Sequence, residues 1–241
     1  MATSMNKSRI AKSTTTGIVM NRLALLHLLN LASPALPIGS YSYSQGLEAA
    51  IEREWITDEA QLLDWLGGIL EYSLGKLDIP LLARCYRALE AADEADFIAW
   101  NLRALASRES RELWLEDTQV GGALRKLLIQ QQANIRLGDT EGDISLLAAF
   151  ALAAYHWDIP LEETALGLLW SWSENQVAAA IKLMALGQTG GQRVLGELKQ
   201  RIPLCVDQGL AVADEDIGSG LPGLAIASAS HETQYSRLFR S

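Results

Sequence analysis

Valine is nearly missing from this chain. It supplies 6 of 241 residues, against 41 leucines and 33 alanines. β-Branched residues fill strands, whereas Leu and Ala are strong helix formers, so this is the composition of an all-helical protein. Cysteine is scarcer still, with only Cys85 and Cys205, far apart and in no C-x-x-C pair. That excludes a disulfide scaffold and points to two buried thiols in a reducing cytosol. A chain of this length buries roughly 70% of its unfolded surface and needs no cross-link to hold a core. No apolar run reaches the ~20 residues that span a bilayer. The longest, from Ile144 to Tyr155, is rich in Ala and reads as a core helix. Acidic residues are absent before Glu48, while that stretch carries Lys7, Arg9, Lys12 and Arg22. The rest of the chain holds 16 basic and 29 acidic residues, an acidic body unsuited to nucleic acid, which needs clustered Lys and Arg.

Helical periodicity dominates from residue 21 onward. Residues 21–32 are apolar nearly all round, which predicts a deeply buried helix. Pro34, Pro37 and Gly39 then break it. Ser42 with Gln45, and Asp58 with Gln61, have capping-box spacing and predict two helix starts. Asp78 with Pro80, and Asp93, predict two more. A long pattern over 109–135 is interrupted at Gly121-Gly122. Asp143 is the expected cap of the helix ending at His156. The pattern from Pro160 to Gly187 divides near Ser173, residues 187–191 form a loop, 192–200 a short helix, and Pro203 opens another. From Asp214 onward glycine, serine and Pro222 replace the periodic apolar residues, predicting an exposed or partly packed tail. The expectation is one all-α helical-bundle domain of about ten helices over 21–213, with a disordered basic tail at 1–20 and a flexible partner-binding tail at 214–241.

A catalytic set is also lacking. The chain has 3 histidines. His27 lies in an apolar helix and His156 at a helix end, both structural positions; His231 alone falls in a polar stretch and is expected to be exposed. His231-Glu232 starts like a zinc-protease signature, but the second histidine would fall at Tyr235, so the motif fails. No His or Cys pair has chelate spacing, which leaves no metal site and only His231 as a weak candidate for nickel. Gly187–Gln192 is glycine-rich without the Lys-Ser/Thr of a phosphate loop, and Ser40, Ser42 and Ser44 do not form a G-x-S-x-G elbow. A charged run such as Glu109 and Glu112 reads as a solvated helix face. No catalytic residues are assigned.

Two stretches differ from ordinary core or loop. Leu36-Pro37-Ile38-Gly39-Ser40-Tyr41-Ser42-Tyr43-Ser44-Gln45-Gly46-Leu47-Glu48 crowds two tyrosines and several hydroxyls beside a Pro/Gly turn. His231-Glu232-Thr233-Gln234-Tyr235-Ser236-Arg237-Leu238-Phe239-Arg240-Ser241 places Tyr, Leu, Phe and two Arg where a soluble tail would be polar. Arg and aromatics are the types that anchor interfaces. Both stretches, with Arg108–Leu113 and Ile181–Gln188, resemble ordered motifs of the urease accessory protein F family (UreF); Ala185 stands where that family usually has proline. The resemblance runs from Arg22 to Ser241 and leaves the first twenty residues without a counterpart.

The resemblance implies a dimeric, all-helical, cytoplasmic adaptor with no catalysis of its own and no stably bound cofactor. It would join accessory proteins D (or H) and G on apo-urease, for lysine carbamylation and GTP-dependent nickel insertion, nickel being handled by the complex. It places Tyr235, Arg237, Leu238, Phe239 and Ser241 against the D-type partner. Tyr41, Ser42, Glu48, Lys182 and Gln188 are assigned to the G-type or dimer surface. Neither nucleic acid nor membrane is an expected partner.

Overall fold

The computed structural model describes residues 20–131, 142–218 and 220–240. The basic tail predicted at 1–20 and the loop around 138–142 therefore lie almost wholly outside the described residues. Among the described residues there are ten α-helices and no strand: α1 (Arg22–Leu31), α2 (Leu47–Glu52), α3 (Glu59–Ile69), α4 (Ile79–Ala91), α5 (Glu94–Ala106), α6 (Arg111–Gln130), α7 (Leu146–His156), α8 (Leu161–Leu183), α9 (Gly187–Leu210) and α10 (Pro222–His231). The single all-α domain expected from composition is what forms. None of these helices is long and apolar enough to cross a membrane.

The centre of the domain is α7. Eight consecutive residues, Leu147–Ala154, are buried, and five of them are Ala. Small side chains let neighbouring helices approach on every side, and α7 meets α4, α6, α5, α8 and α1. α4 lies beside it and buries Leu81, Leu82, Cys85 and Leu89 in the same core. Burial pushes the Cys85 thiol up to about 12, so it stays protonated and behaves as a small apolar group.

Local signals that set helix starts hold where their partners lie nearby. Asp58 accepts the Gln61 N–H at 2.8 Å, and Gln61 returns its side-chain oxygen to the Thr57 N–H at 2.8 Å, one residue earlier than a standard capping box. Asp93 accepts from Asp96 N at 3.0 Å and starts α5. Four expectations fail because tertiary packing overrides local breakers. Asp78 and Pro80 start no separate helix: α3 runs through a π-helical segment, Leu70–Asp78, directly into α4. α6 passes through Gly121-Gly122 without a break, and a Cβ at position 121 would strike the Ile144 carbonyl that leads into α7. α8 is continuous through Ser173, whose hydroxyl donates back to the Leu169 carbonyl at 2.8 Å. α9 starts at Gly187 itself and carries Pro203 inside it. The cap of α7 is Ser145, which accepts from Ala148 N at 3.1 Å, rather than Asp143.

The first helix is the largest departure. Only its Ala24 and Leu31 are buried, through contacts of α1 with α7 and α8. His27 stacks on Trp157 with ring centroids 4.8 Å apart. The opposite face is open, with Leu23, Leu26 and Leu29 each about 60% exposed and Leu25 beside them. The apolar girdle that predicts a deeply buried helix is half used within this chain.

Candidate functional site: the docked C-terminal strap

Four segments far apart in sequence meet at one end of the domain. Ser110 opens α6, accepting from Leu113 N at 3.1 Å and sharing a 2.6 Å hydroxyl contact with Ser228 of α10. Gly46 starts α2 with φ near +80°, and a Cβ there would lie 2.8 Å from Ser228 N. Glycine at 46 thus supplies both the left-handed turn and the close approach of two backbones. Ser42 and Gln45 do not form the predicted capping box. Gln45 instead donates to Glu116 at 2.9 Å and accepts from Trp172 Nε1 at 2.7 Å, fixing the turn to α6 and α8. Tyr43 is buried, and its hydroxyl donates to Gln119 at 2.7 Å.

After α10 the chain continues as an irregular strap over residues 232–240, laid on this junction. Glu48 of α2 is only 7% exposed. One of its oxygens accepts the Leu238 N–H at 2.7 Å; the other accepts the Phe239 N–H at 2.9 Å and lies 3.1 Å from His231 Nε2. Glu112 of α6 accepts from Arg237 at 2.8 Å through one oxygen and lies 2.8 Å from His231 Nδ1 through the other. His231 has no exposed surface. Phe239 is buried, with the Lys182 ammonium 5.6 Å from its ring centroid, a cation–π distance. The Arg240 N–H donates to the Ser42 carbonyl at 2.8 Å.

These contacts revise several sequence expectations. His231 is buried, because α10 ends against two carboxylates that lie 183 and 119 residues away in sequence. Glu48 is an internal acceptor instead of a surface residue, and Phe239 is already packed within this chain. The tail is partly packed, as expected, but it includes a ten-residue helix that its weak periodicity did not reveal. The outward side chains are Tyr235, fully exposed, Leu238 at 64% and Tyr41 at 58%, with Arg237 partly exposed. Gln188 is exposed on the first turn of α9 and takes no part in this network, and Ser241 lies outside the described residues. The glutamates of the presumed solvated face divide: Glu109 is exposed, and Glu112 is buried under the strap. His156 is exposed at the end of α7. Among the described residues no group of three or more His, Cys, Asp or Glu is arranged to hold a metal ion. At His231 the reason is visible: the two carboxylates sit on opposite ring nitrogens and do not converge on one point.

A second charge cluster forms around Arg108, just before α6, and sequence reasoning missed it. Arg108 is mostly buried and bonds Asp78 at 2.9 Å and Asp117 at 2.9 Å. Asp117 also accepts from Leu146 N at 2.8 Å and so ties α6 to the start of α7. Burial opposes the charged guanidinium, but Asp117 and Asp78 outweigh it and hold Arg108 more firmly protonated than a free arginine. Asp78 shifts upward, because burial outweighs the attraction of Arg108; its second oxygen is buried without a partner. The signal was present in the Arg108–Leu113 motif but carried no hint of its partners.

The profile of the UreF family matches residues 56–199. The urease accessory protein UreF of Teredinibacter turnerae is 47% identical over 219 residues, covering 90% of this chain and 98% of that protein. The chain belongs to the UreF family. The protein of the same name from Hahella chejuensis is 47% identical over 224 residues, covering 92% of this chain and all of that protein. That from Marinomonas is 43% identical over 227 residues, covering 94% and 98%. The stretches whose resemblance pointed to UreF build the strap junction: residues 36–48 supply its floor, Arg108–Leu113 one wall, Lys182 a cation over Phe239, and 231–240 the strap itself.

Proposed function

We propose that the chain is a non-catalytic adaptor of urease maturation. It bridges accessory proteins D/H and G on apo-urease in the cytoplasm, and so permits lysine carbamylation and GTP-dependent nickel insertion. The observation that carries this reading is the strap junction. Buried contacts spend Glu48, Glu112, His231 and Phe239 on fixing a short segment, while Tyr235, Leu238 and Tyr41 project from it into solvent. Rigid, outward aromatic and Leu side chains on a preorganised backbone lose little entropy on binding, which favours a partner surface. Tyr235, Arg237, Leu238 and Ser241 contact the D-type protein; Tyr41, Ser42, Lys182 and Gln188 face the G-type protein or the dimer contact. A homodimer is further supported by the open leucines of α1, an apolar face that a second copy would cover. Nickel is cargo of the assembly and not a resident of this chain, consistent with both His231 nitrogens being engaged by carboxylates. Two free buried thiols fit a reducing compartment.

Co-purification with the D-type protein tests the reading. Tyr235→Ala combined with Leu238→Ala removes exposed side chains that hold no buried contact. At hot-spot values of ~2 kcal/mol each, retention should fall by at least about tenfold, with unchanged helical circular dichroism. Retention equal to wild type would remove the strap from the partner surface.

A further inference from the structure

The Arg108 cluster borders a cavity of about 90 Å³, well below the roughly 300 Å³ at which pockets for larger organic ligands begin. One wall is the π-helical segment Leu70–Asp78, a rare geometry found mostly at functional sites. Four carboxylates line the cavity, those of Asp78, Glu109, Glu116 and Asp117, against the guanidinium of Arg108. Three of them are accounted for. Glu109 is exposed, Glu116 accepts from Gln45, and Asp117 is held by Arg108 and the Leu146 N–H. Asp78 differs. It is 4% exposed, its Oδ1 bonds Arg108 at 2.9 Å, and its Oδ2 is buried with no hydrogen-bond partner among the described residues. A buried acceptor left unpaired is costly. Protonating that oxygen replaces an unpaired acceptor with an unpaired donor. A guest in the cavity supplies the missing partner.

We propose that this cavity binds a small ammonium-type cation, the ammonium ion or methylammonium, which donates an N–H to Asp78 Oδ2. The charge of the guest follows from the buried ion triad. Asp78 and Asp117 against Arg108 leave one negative charge, and a buried cluster is stable only when its charge is compensated. A water molecule supplies a donor and no charge. The hydrogen-bonding class follows from the walls. Hard metal cations take roughly six or more oxygens, whereas here one free carboxylate oxygen faces a cavity bounded by Leu74, Leu147 and Leu168. Among the described residues no group of three or more His, Cys, Asp or Glu is arranged to hold a metal ion. An ammonium group makes directed bonds to few acceptors and tolerates apolar contact elsewhere. Ser73 and Ser107 also line the cavity; the Ser107 hydroxyl donates to the Arg103 carbonyl at 2.7 Å, so its oxygen is left to accept. The site is separate from the strap and holds whichever partner the strap meets.

Thermal unfolding of the full chain at neutral pH and constant ionic strength tests this, with the chloride salts of ammonium, methylammonium, potassium and tetramethylammonium compared. Tetramethylammonium carries the charge without an N–H, and potassium carries it without hydrogen-bond direction. A ligand bound only by the folded chain raises the midpoint saturably, by about 5–10 °C at a hundredfold excess over its dissociation constant. Ammonium and methylammonium should do so, and the other two salts should give less than half that rise. Two variants locate the effect. Asp78→Asn keeps an oxygen for Arg108 and turns an N–H toward the guest, so the ammonium response should vanish. Ser73→Leu narrows the cavity from the π-helical wall with both aspartates in place, and should abolish the response even if Asp78→Asn fails to fold. Equal midpoints in all four salts would mean that the cavity holds water alone and would overturn the proposal. So would an ammonium response that survives in Ser73→Leu.

Discussion

Glu48→Ala should undock the strap while leaving the helical domain standing. The substitution removes one acceptor group for three contacts: the Leu238 and Phe239 amides at 2.7 and 2.9 Å, and His231 at 3.1 Å. Hydrogen bonds to a charged group contribute about 1.5–3 kcal/mol each. Even heavily discounted for non-additivity, their loss lowers the docking constant by more than about a hundredfold. The cost to global stability is capped, because residues 232–240 can leave the junction and be solvated instead of keeping their amides buried and unpaired. The result should therefore be local. Trypsin should cleave after Arg237 and Arg240 far faster than in wild type, and exchange at Leu238 and Phe239 should approach that of free chain. The far-ultraviolet spectrum should lose no more than the signal of α10. Unchanged cleavage would mean that Phe239 and the Arg240 contact to Ser42 hold the strap unaided.

Arg108→Met should be the most destabilising single change, at about 3–5 kcal/mol, because it strands two buried carboxylates. Asp78 and Asp117 both lie against the guanidinium, and their side chains are only 6% and 5% exposed. The pH dependence carries the mechanism. Burial already places Asp78 above the ordinary carboxylate range, with Arg108 pulling the other way; removing Arg108 raises it further. A carboxyl whose folded pKa exceeds its unfolded value binds a proton more readily in the folded state, so its effect on stability worsens as pH rises through that range. The deficit of Arg108→Met should therefore shrink as pH falls from neutrality toward about pH 5, which urea unfolding at two pH values would show. Adding Asp78→Asn should recover part of the loss, since it removes one stranded charge and offers a donor. Asp117→Asn is the poorer rescue, because Asp117 also accepts the Leu146 N–H. A deficit independent of pH would point to lost packing instead.

How much was readable in the sequence divides by the range of the interaction. Composition fixed the class, and the Asp58 and Asp93 starts could be read because each cap and its target are three residues apart. The Ala-rich run over 144–155 was readable as core because no charged residue interrupts it. Breakers misled where a neighbour required them. Gly121 reads as a helix end but is the point where the backbone entering α7 touches α6, and Pro203 sits within a 24-residue helix that packing sustains. The outer face of α1 looks like core by periodicity, and periodicity does not say which chain covers it. For the site, motif resemblance located the right segments and gave the wrong orientation for some side chains. Glu48, His231 and Phe239 read as surface because their partners lie far away in sequence, and nothing local records a carboxylate that waits for an amide 190 residues later. Tyr235, Leu238 and Tyr41 read as surface and are surface.

The central claim is that the strap junction is where the D-type accessory protein binds. Hydrogen exchange of the full chain, alone and with that protein, measures this most directly. The account predicts added protection concentrated at residues 232–240. Protection confined to α5, α9 or the Arg108 cluster, with the strap unchanged, would contradict it.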